Sequence, residues 1–351
     1  MHEFVVPPPL EPGDRVAIVA PAGGHASQFP HVYEQGLETL RETFDLEPVE
    51  FPTATKSSEY LYDHPEERAR DVEDAFVDPD IAGVIATIGG EDQIRILKHL
   101  DTDVLREHPT RFYGVSDNTN LQLALWNAGL VSYYGGMVMT DLAVHGGHPD
   151  YTERYLRRAF FEEEHGELEP ATAFTDDGHD WADPDTLDYE PEWEDSDGWH
   201  WDGPETVVSG RTWGGCLEIV DLQLAVSHYL PDPDALSGTV LCLETSEELP
   251  RDFDVRWFLL GLGERGLLER FAAVLVGRAR ARSVFDPNPP DEREAYRTRQ
   301  REAIIDTVRE YNPDAPIVFD LEFGHTYPTA APPIGGHVVV DSARERITFA
   351  E

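Results

Sequence analysis

The stretch RFYGVSDNTNLQLALWNAGL, residues 111–130, decides the fold class. Its first six residues form a short apolar run rich in aromatic and β-branched side chains, which suits a buried strand. The period then changes: in DNTNLQLALWNAGL, Leu121, Leu125 and Ala128 fall in helical register. A buried strand running straight into a helix is half of a β-α-β unit. The same alternation extends upstream. RVAIVAPA (15–22) reads as a buried strand and Val32 to Thr43 as a helix. IAGVIATIGG (81–90) reads as a second strand, and QIRILKHLD (93–101) as a helix with Ile94, Leu97 and His99 to Leu100 near one face. The pattern predicts an α/β fold with a parallel sheet covered by helices, in a domain spanning residues 1–145.

Downstream, residues 146–206 form a connector of different character. From Glu162 to Glu205 there are 18 Asp and Glu, no Lys or Arg, and four tryptophans: Trp181, Trp193, Trp199 and Trp201. An acidic, disordered linker has this charge, but tryptophans are normally buried or used for contact, so an ordered connector over a groove is expected. Residues 207–351 return to α/β character. GTVLCLET (238–245), AAVLVGRAR (272–280) and APIVFDLEFGH (315–325) read as strands, with helices over Val255–Leu268 and Glu294–Glu310. The tail alternates at Val338 and Val340 before a turn near Ser342–Arg344, as a β-hairpin does.

Charge excludes several functions. With 69 acidic and 27 basic residues in 351, the net charge is −42. Phosphate-tracking nucleic-acid binding and attachment to an anionic membrane surface are excluded as main activities. No apolar run is long enough for a membrane span, and the N-terminus lacks the pattern of a signal peptide, so a cytoplasmic location is expected. Cys216 and Cys242 are too few for a disulfide framework or a zinc cluster. Of the basic residues only Lys56 and Lys98 are lysine. Many carboxylates with few lysines suit a salt-rich, halophilic cytoplasm, where screening over a few ångströms removes self-repulsion.

Three strand ends carry polar residues of interest. Ser116 stands where a buried strand meets a helix, at the edge where α/β proteins place ligands, with the Asp117 N–H at the helix start. Ser-Asp-Asn is equally the composition of a helix N-cap. Asn118 occupies the place of the second glycine of a G-x-S-x-G elbow, which argues against an ordinary α/β-hydrolase. Gly89 and Gly90 permit close backbone approach to a ligand, or serve a tight turn. Glu244 and His325 follow later strands. A serine nucleophile needs an imidazole base and a carboxylate to orient it, but Glu244 alone also reads as a turn cap and His325 is one of 14 histidines.

In order, GDRVAIVAPAG, GVIATIGGED, FYGVSDNTNLQLALW, GRTWGGCLEIVDLQLA, LCLETSEE and FGHTYPTAAPPIGG resemble the motifs of the LD-carboxypeptidase family of serine peptidases over nearly the whole chain. That family includes murein tetrapeptide LD-carboxypeptidases and microcin C immunity proteins, and the tryptophan-rich connector looks like the immunity branch. The resemblance implies a flavodoxin-like or class I amidotransferase-like N-terminal domain and a smaller C-terminal α/β domain. It further implies a catalytic Ser116, Glu244 and His325, with oxyanion donors at the Gly90 and Asp117 backbone N–H groups. Gly89, Glu91 and Trp213 are substrate-binding candidates, and no cofactor or metal is implied. A small peptide or peptidyl-nucleotide substrate and a homodimer are expected. Arg211 is a candidate for a substrate carboxylate, and Trp181, Trp193, Trp199 or Trp201 for a base. A silent peptide- or nucleotide-binding protein is the alternative, and a glutaminase using Cys216 a further one.

Overall fold

The computed structural model describes residues 3–144, 149–183 and 185–350, so the expected domain boundary at 145/146 falls outside the described residues. The first half supplies β1 (Arg15–Val19), β2 (Glu47–Glu50), β3 (Gly83–Ala86), β4 (Arg111–Gly114) and β5 (Ser132–Tyr134). They pair in parallel in the order β5-β4-β3-β1-β2. β1, β3 and β4 are almost wholly buried, as strands covered on both faces must be. Helices Pro30–Glu42, Pro65–Val77 and Thr119–Asn127 supply the covering layers.

The acidic segment contributes β6 (Gly166–Leu168), β7 (Ala173–Phe174), β8 (Glu194–Asp195) and β9 (His200–Asp202). The second half adds β10 (Val207–Cys216), β11 (Val240–Glu244), β12 (Ala273–Gly277), β13 (Ile317–Leu321), β14 (Pro333–Ile334), β15 (His337–Asp341) and β16 (Arg346–Ala350). The second sheet runs β6-β16-β15-β10-β11-β12-β13-β9, with a parallel centre from β10 to β13. β14 instead joins the first sheet, antiparallel to β5. The tail forms the β15–β16 hairpin, with Val338 and Val340 buried.

Two elements depart from the sequence expectation. Residues 93–99 wind as a 3-10 helix, Gln93–His99. The Gln93 side chain is buried, donating to Asn118 Oδ1 at 2.7 Å and accepting from the Leu121 N–H at 2.9 Å, and short, pinned connectors favour this tighter winding. The Thr119–Asn127 helix is buried on all sides over Thr119–Trp126 rather than on one stripe. Its outer face meets the second half: Trp126 Nε1 donates to the Thr212 carbonyl at 3.0 Å, and Gln223 donates to Asn120 Oδ1 at 2.7 Å.

The acidic segment touches both halves. Asp176 is fully buried between Arg282 (2.8 Å) and Arg297 (2.6 Å), a pairing that offsets the cost of burying its charge. Trp199 Nε1 donates to Glu322 at 2.8 Å, and Trp181 meets Phe29 edge-on at 5.6 Å.

Candidate active site

The turn after β4 is built around Ser116. Its φ is +64°, a left-handed conformation that costs an L-residue strain and is normally left to glycine. Buried side chains hold it there. Asn118 Nδ2 donates to the carbonyls of Val115 (3.0 Å) and Ile88 (3.1 Å), tying the turn to the segment after β3. Asp117 accepts from the Gln93 N–H at 2.8 Å and from Asn120 Nδ2 at 2.7 Å. Burial, only partly offset by these bonds, pushes the Asp117 carboxyl up to about 6.

The paired glycines lie against this turn. A methyl group at Gly89 would stand 2.8 Å from Ser116 Cβ, 3.0 Å from its Oγ and 3.7 Å from the Asp117 nitrogen. At Gly90 it would meet the Gly23 nitrogen at 2.8 Å. Glycine is therefore required by close approach, since a Cβ would displace the serine or the loop after β1. That loop is fixed by the buried Arg68, whose Nε and Nη2 donate to the Pro21 carbonyl at 3.1 and 2.7 Å, and by the Gly23 N–H, which donates to Gly89 O at 2.8 Å. Glu91, the next residue, is exposed.

Glu244 ends β11 and is 1% exposed. Its Oε2 accepts from His325 Nδ1 at 2.6 Å, and its Oε1 accepts from the Tyr134 hydroxyl at 2.5 Å. The same Tyr134 oxygen accepts from the Ser116 N–H at 3.2 Å. One buried phenol thus links the serine backbone of the first half to the carboxylate of the second. Burial and then the Glu244 charge hold Tyr134 well above its ordinary pKa, so it stays a donor. Gly324, with φ +104°, admits the glutamate: a Cβ there would lie 2.4 Å from Glu244 Oε2.

The imidazole of His325 is held at both nitrogens, since Nε2 faces Glu247 Oε2 at 3.2 Å. Burial by itself would depress the imidazole. The Glu244 charge, then that of Glu247 and the Glu244 hydrogen bond, outweigh it and raise His325 to about 9. Among the described residues no hydrogen bond joins Ser116 Oγ to His325. The structure brings the serine to the Glu244–His325 pair through Tyr134, and Glu247 holds the nitrogen that would serve as base.

Three sequence candidates lie elsewhere. Trp213 is fully buried in β10, stacked on Phe271 at 5.8 Å, so it is core and not a substrate contact. Arg211 donates to Gly335 O at 2.8 Å and lies over the Phe4 ring at 4.4 Å, already engaged. Cys216 is buried with Sγ 3.3 Å from Glu218 Oε2, and burial raises its thiol well above its usual value, so it is no thiolate nucleophile. Tyr134 and Glu247 were not singled out from the sequence. The first reads as an apolar strand residue and the second as one loop carboxylate among many.

With this geometry in place, comparison with known proteins identifies the lineage. The N-terminal domain of LD-carboxypeptidases matches residues 16–135, and their C-terminal domain matches residues 209–340. The chain belongs to the LD-carboxypeptidase family. Members are serine peptidases, and the protein is an amide-bond hydrolase of that kind. YocD of Bacillus subtilis (strain 168), whose name assigns it to the carboxypeptidases, is 27% identical over 335 residues, covering 93% of each chain. The microcin C7 self-immunity protein MccF of Escherichia coli is 22% identical over 347 residues, covering 98% of this chain and 95% of its own. Among solved structures, an MccF-like protein from Streptococcus pneumoniae in complex with AMP superposes with a TM-score of 0.85 at 27% identity, covering 96% of this chain and 98% of that one. MccF in complex with aspartyl sulfamoyl adenosine gives a TM-score of 0.82 at 20% identity, covering 99% and 98%, a likeness of fold. The two-part α/β architecture is thus that of MccF-like proteins.

Proposed function

We propose that the protein cleaves an amide bond in a small peptidyl-nucleotide or peptide, with Ser116 as nucleophile, His325 as general base and Glu244 orienting the imidazole. The observation that carries the reading is the His325 Nδ1–Glu244 hydrogen bond of 2.6 Å, joined through Tyr134 to the strained Ser116 turn. His325 Nε2 takes the Ser116 proton as Oγ attacks the carbonyl carbon. The backbone N–H groups of Gly90 and Asp117 receive the oxyanion, and the contacts of Gly89, the residue before Gly90, with Ser116 and the Asp117 nitrogen support this reading. The imidazolium then protonates the leaving amine, and water, deprotonated by the same nitrogen, releases the acyl group. General-base assistance is worth about 100- to 10,000-fold and one oxyanion donor about 100- to 1,000-fold.

The substrate class is supported by relatives described with AMP and with aspartyl sulfamoyl adenosine, and by a murein peptide carboxypeptidase relative in Bacillus subtilis. Trp193, 42% exposed in the acidic segment, is available to stack on a base. As part of the same reading the enzyme works in a salt-rich cytoplasm as a homodimer. The composition supports the first, and the exposed Phe253 and Trp257 side chains support the second. No helix among the described residues is long and apolar enough to cross a membrane.

The test is incubation in molar KCl with an aminoacyl sulfamoyl adenosine and, separately, an L,D-linked peptide. Wild type should cleave one of them, and Ser116→Ala neither, while both proteins melt cooperatively. A fluorophosphonate should label Ser116. Absence of labelling together with tight ligand binding would instead favour a silent binding protein.

A further inference from the structure

Glu247 touches the proposed base, yet the proposed mechanism does not use it. It lies in the loop between β11 and the Asp252–Glu264 helix, three residues beyond Glu244. Its carboxylate sits 3.2 Å from His325 Nε2, the nitrogen that must face Ser116 Oγ for proton transfer. An imidazole cannot accept a proton from serine while the same nitrogen is protonated and paired with a carboxylate. We propose that Glu247 is a positioning residue that clamps His325 in the substrate-free enzyme and must swing away before Ser116 can be activated. The inference rests on the serine-hydrolase reading above.

The two carboxylates on His325 differ in how firmly they hold. The Glu244 side chain is wholly buried and is itself fixed by Tyr134, whereas the Glu247 side chain is 52% exposed. A half-exposed ion pair is weak because water and salt screen it, so this contact is the one that can open without rearranging the core. Burial would raise the Glu247 carboxyl, but the fields of His325, Arg280 and His25, together with a backbone hydrogen bond, outweigh it and keep the carboxyl below its ordinary pKa. The charged groups acting on His325 are Glu244, Glu247 and Arg280, and Asp141 also lies within its field.

Arg280 follows β12, and its Nε donates to the Arg282 carbonyl at 2.9 Å. Among the described residues it has no carboxylate within ion-pair distance, although Arg278, Arg282, Arg293, Arg297, Arg299 and Arg301 around it all do. A guanidinium with no carboxylate partner among the described residues, already acting on Glu247 through its field, gives the released carboxylate somewhere to go.

Two consequences separate a clamp from a bystander. Removing the Glu247 charge should lower the imidazole pKa, and it should free Nε2 for Ser116. Both speed serine activation near neutrality. The experiment follows fluorophosphonate inactivation against pH at one fixed KCl concentration, for wild type, Glu247→Gln and Glu247→Asp. This reading needs no knowledge of the substrate. The acidic limb of the wild-type profile should lie above pH 7. In Glu247→Gln it should move down by about one unit, so that labelling at pH 7 is on the order of tenfold faster. Glu247→Asp, which keeps the charge on a shorter arm, should fall between the two. As a readout independent of reaction, the 15N shifts of His325 in Ser116→Ala and in Ser116→Ala/Glu247→Gln should titrate about one unit apart. Superimposable profiles and titrations would overturn the clamp while leaving the hydrolase intact. Slower labelling in Glu247→Gln would overturn it also, because Glu247 would then assist the reaction. Absence of labelling in wild type at every pH would overturn the hydrolase reading itself and the clamp with it.

Discussion

At Ser116 the backbone conformation and the proposed chemistry are one feature. A φ of +64° lifts the side chain out of the strand-to-helix path, and Asn118, Asp117 and Gln93 hold the turn against the resulting strain. Ser116→Gly should therefore be inactive yet more stable than Ser116→Ala by about 1 kcal/mol, since only glycine adopts this conformation freely. Urea titration of the two variants measures the difference. Tyr134 carries a second expectation. Tyr134→Phe leaves the Ser116 N–H and Glu244 Oε1 without their shared partner at a position where Tyr134 and Glu244 are both buried. The expected loss is about 1–3 kcal/mol of stability together with slower fluorophosphonate labelling. Unchanged labelling would mean that the phenol holds the two halves together but does not orient the site.

The elements matter through where they end. β3, β4, β11 and β13 deliver Gly89, Ser116, Glu244 and His325 within a few residues of their carboxyl ends, which is what would let the proposed nucleophile of one sheet approach the proposed acid–base pair of the other. The close packing of the β13 loop on β11 makes Gly324 a sensitive position. Gly324→Ala would drive a methyl group to 2.4 Å from Glu244 Oε2, and the labelling rate should fall by about 100-fold, as expected of a misplaced catalytic pair. A fall of less than threefold would show that the β13 loop adjusts freely. These strand ends were legible in the sequence because each short apolar run stops at polar or glycine residues, with a helical period following directly only after Ser116, and the six ordered motifs pointed to Ser116, Glu244 and His325. Tyr134 was not legible, since a tyrosine in a three-residue strand has no pattern to mark its hydroxyl. Glu247 was hidden among 69 acidic residues. Nor could two- and three-residue strands such as β7, β8, β9 and β14 be read, because no periodicity develops over so short a length. Trp213 was misread because a tryptophan beside a glycine pair looks the same whether it faces a cleft or the core.

For the molecule as a whole, electrostatics set the conditions of stability. At a net charge of −42, repulsion is screened over about 3 Å at molar salt but only about 10 Å at 0.1 M, so the melting temperature should fall as KCl is lowered across that range. Sedimentation in molar KCl tests the homodimer separately. Glu322 gives a pH dependence. Burial, against the bonds it accepts from Ala171 and Trp199, raises its carboxyl from 4.5 to about 7. Between those values the folded protein keeps a proton that the unfolded chain has released, so this group adds stability as pH falls from 7 towards 4.5. His165, lowered by burial to about 4, acts in the opposite sense from pH 6.5 downwards. Comparing wild type with Glu322→Gln isolates the first contribution: the variant should be the more stable at pH 8, with the gap closing by pH 4.5. A constant gap would mean that Glu322 does not titrate on unfolding. The pairing of β14 with β5 has a last consequence, for engineering. A fragment ending before β14 would present β5 as a naked edge, prone to stacking with its own copies. Chimeras between relatives should therefore inherit residues 333–334 from the same parent as the amino-terminal portion, so that the strand closing this edge matches the one it covers.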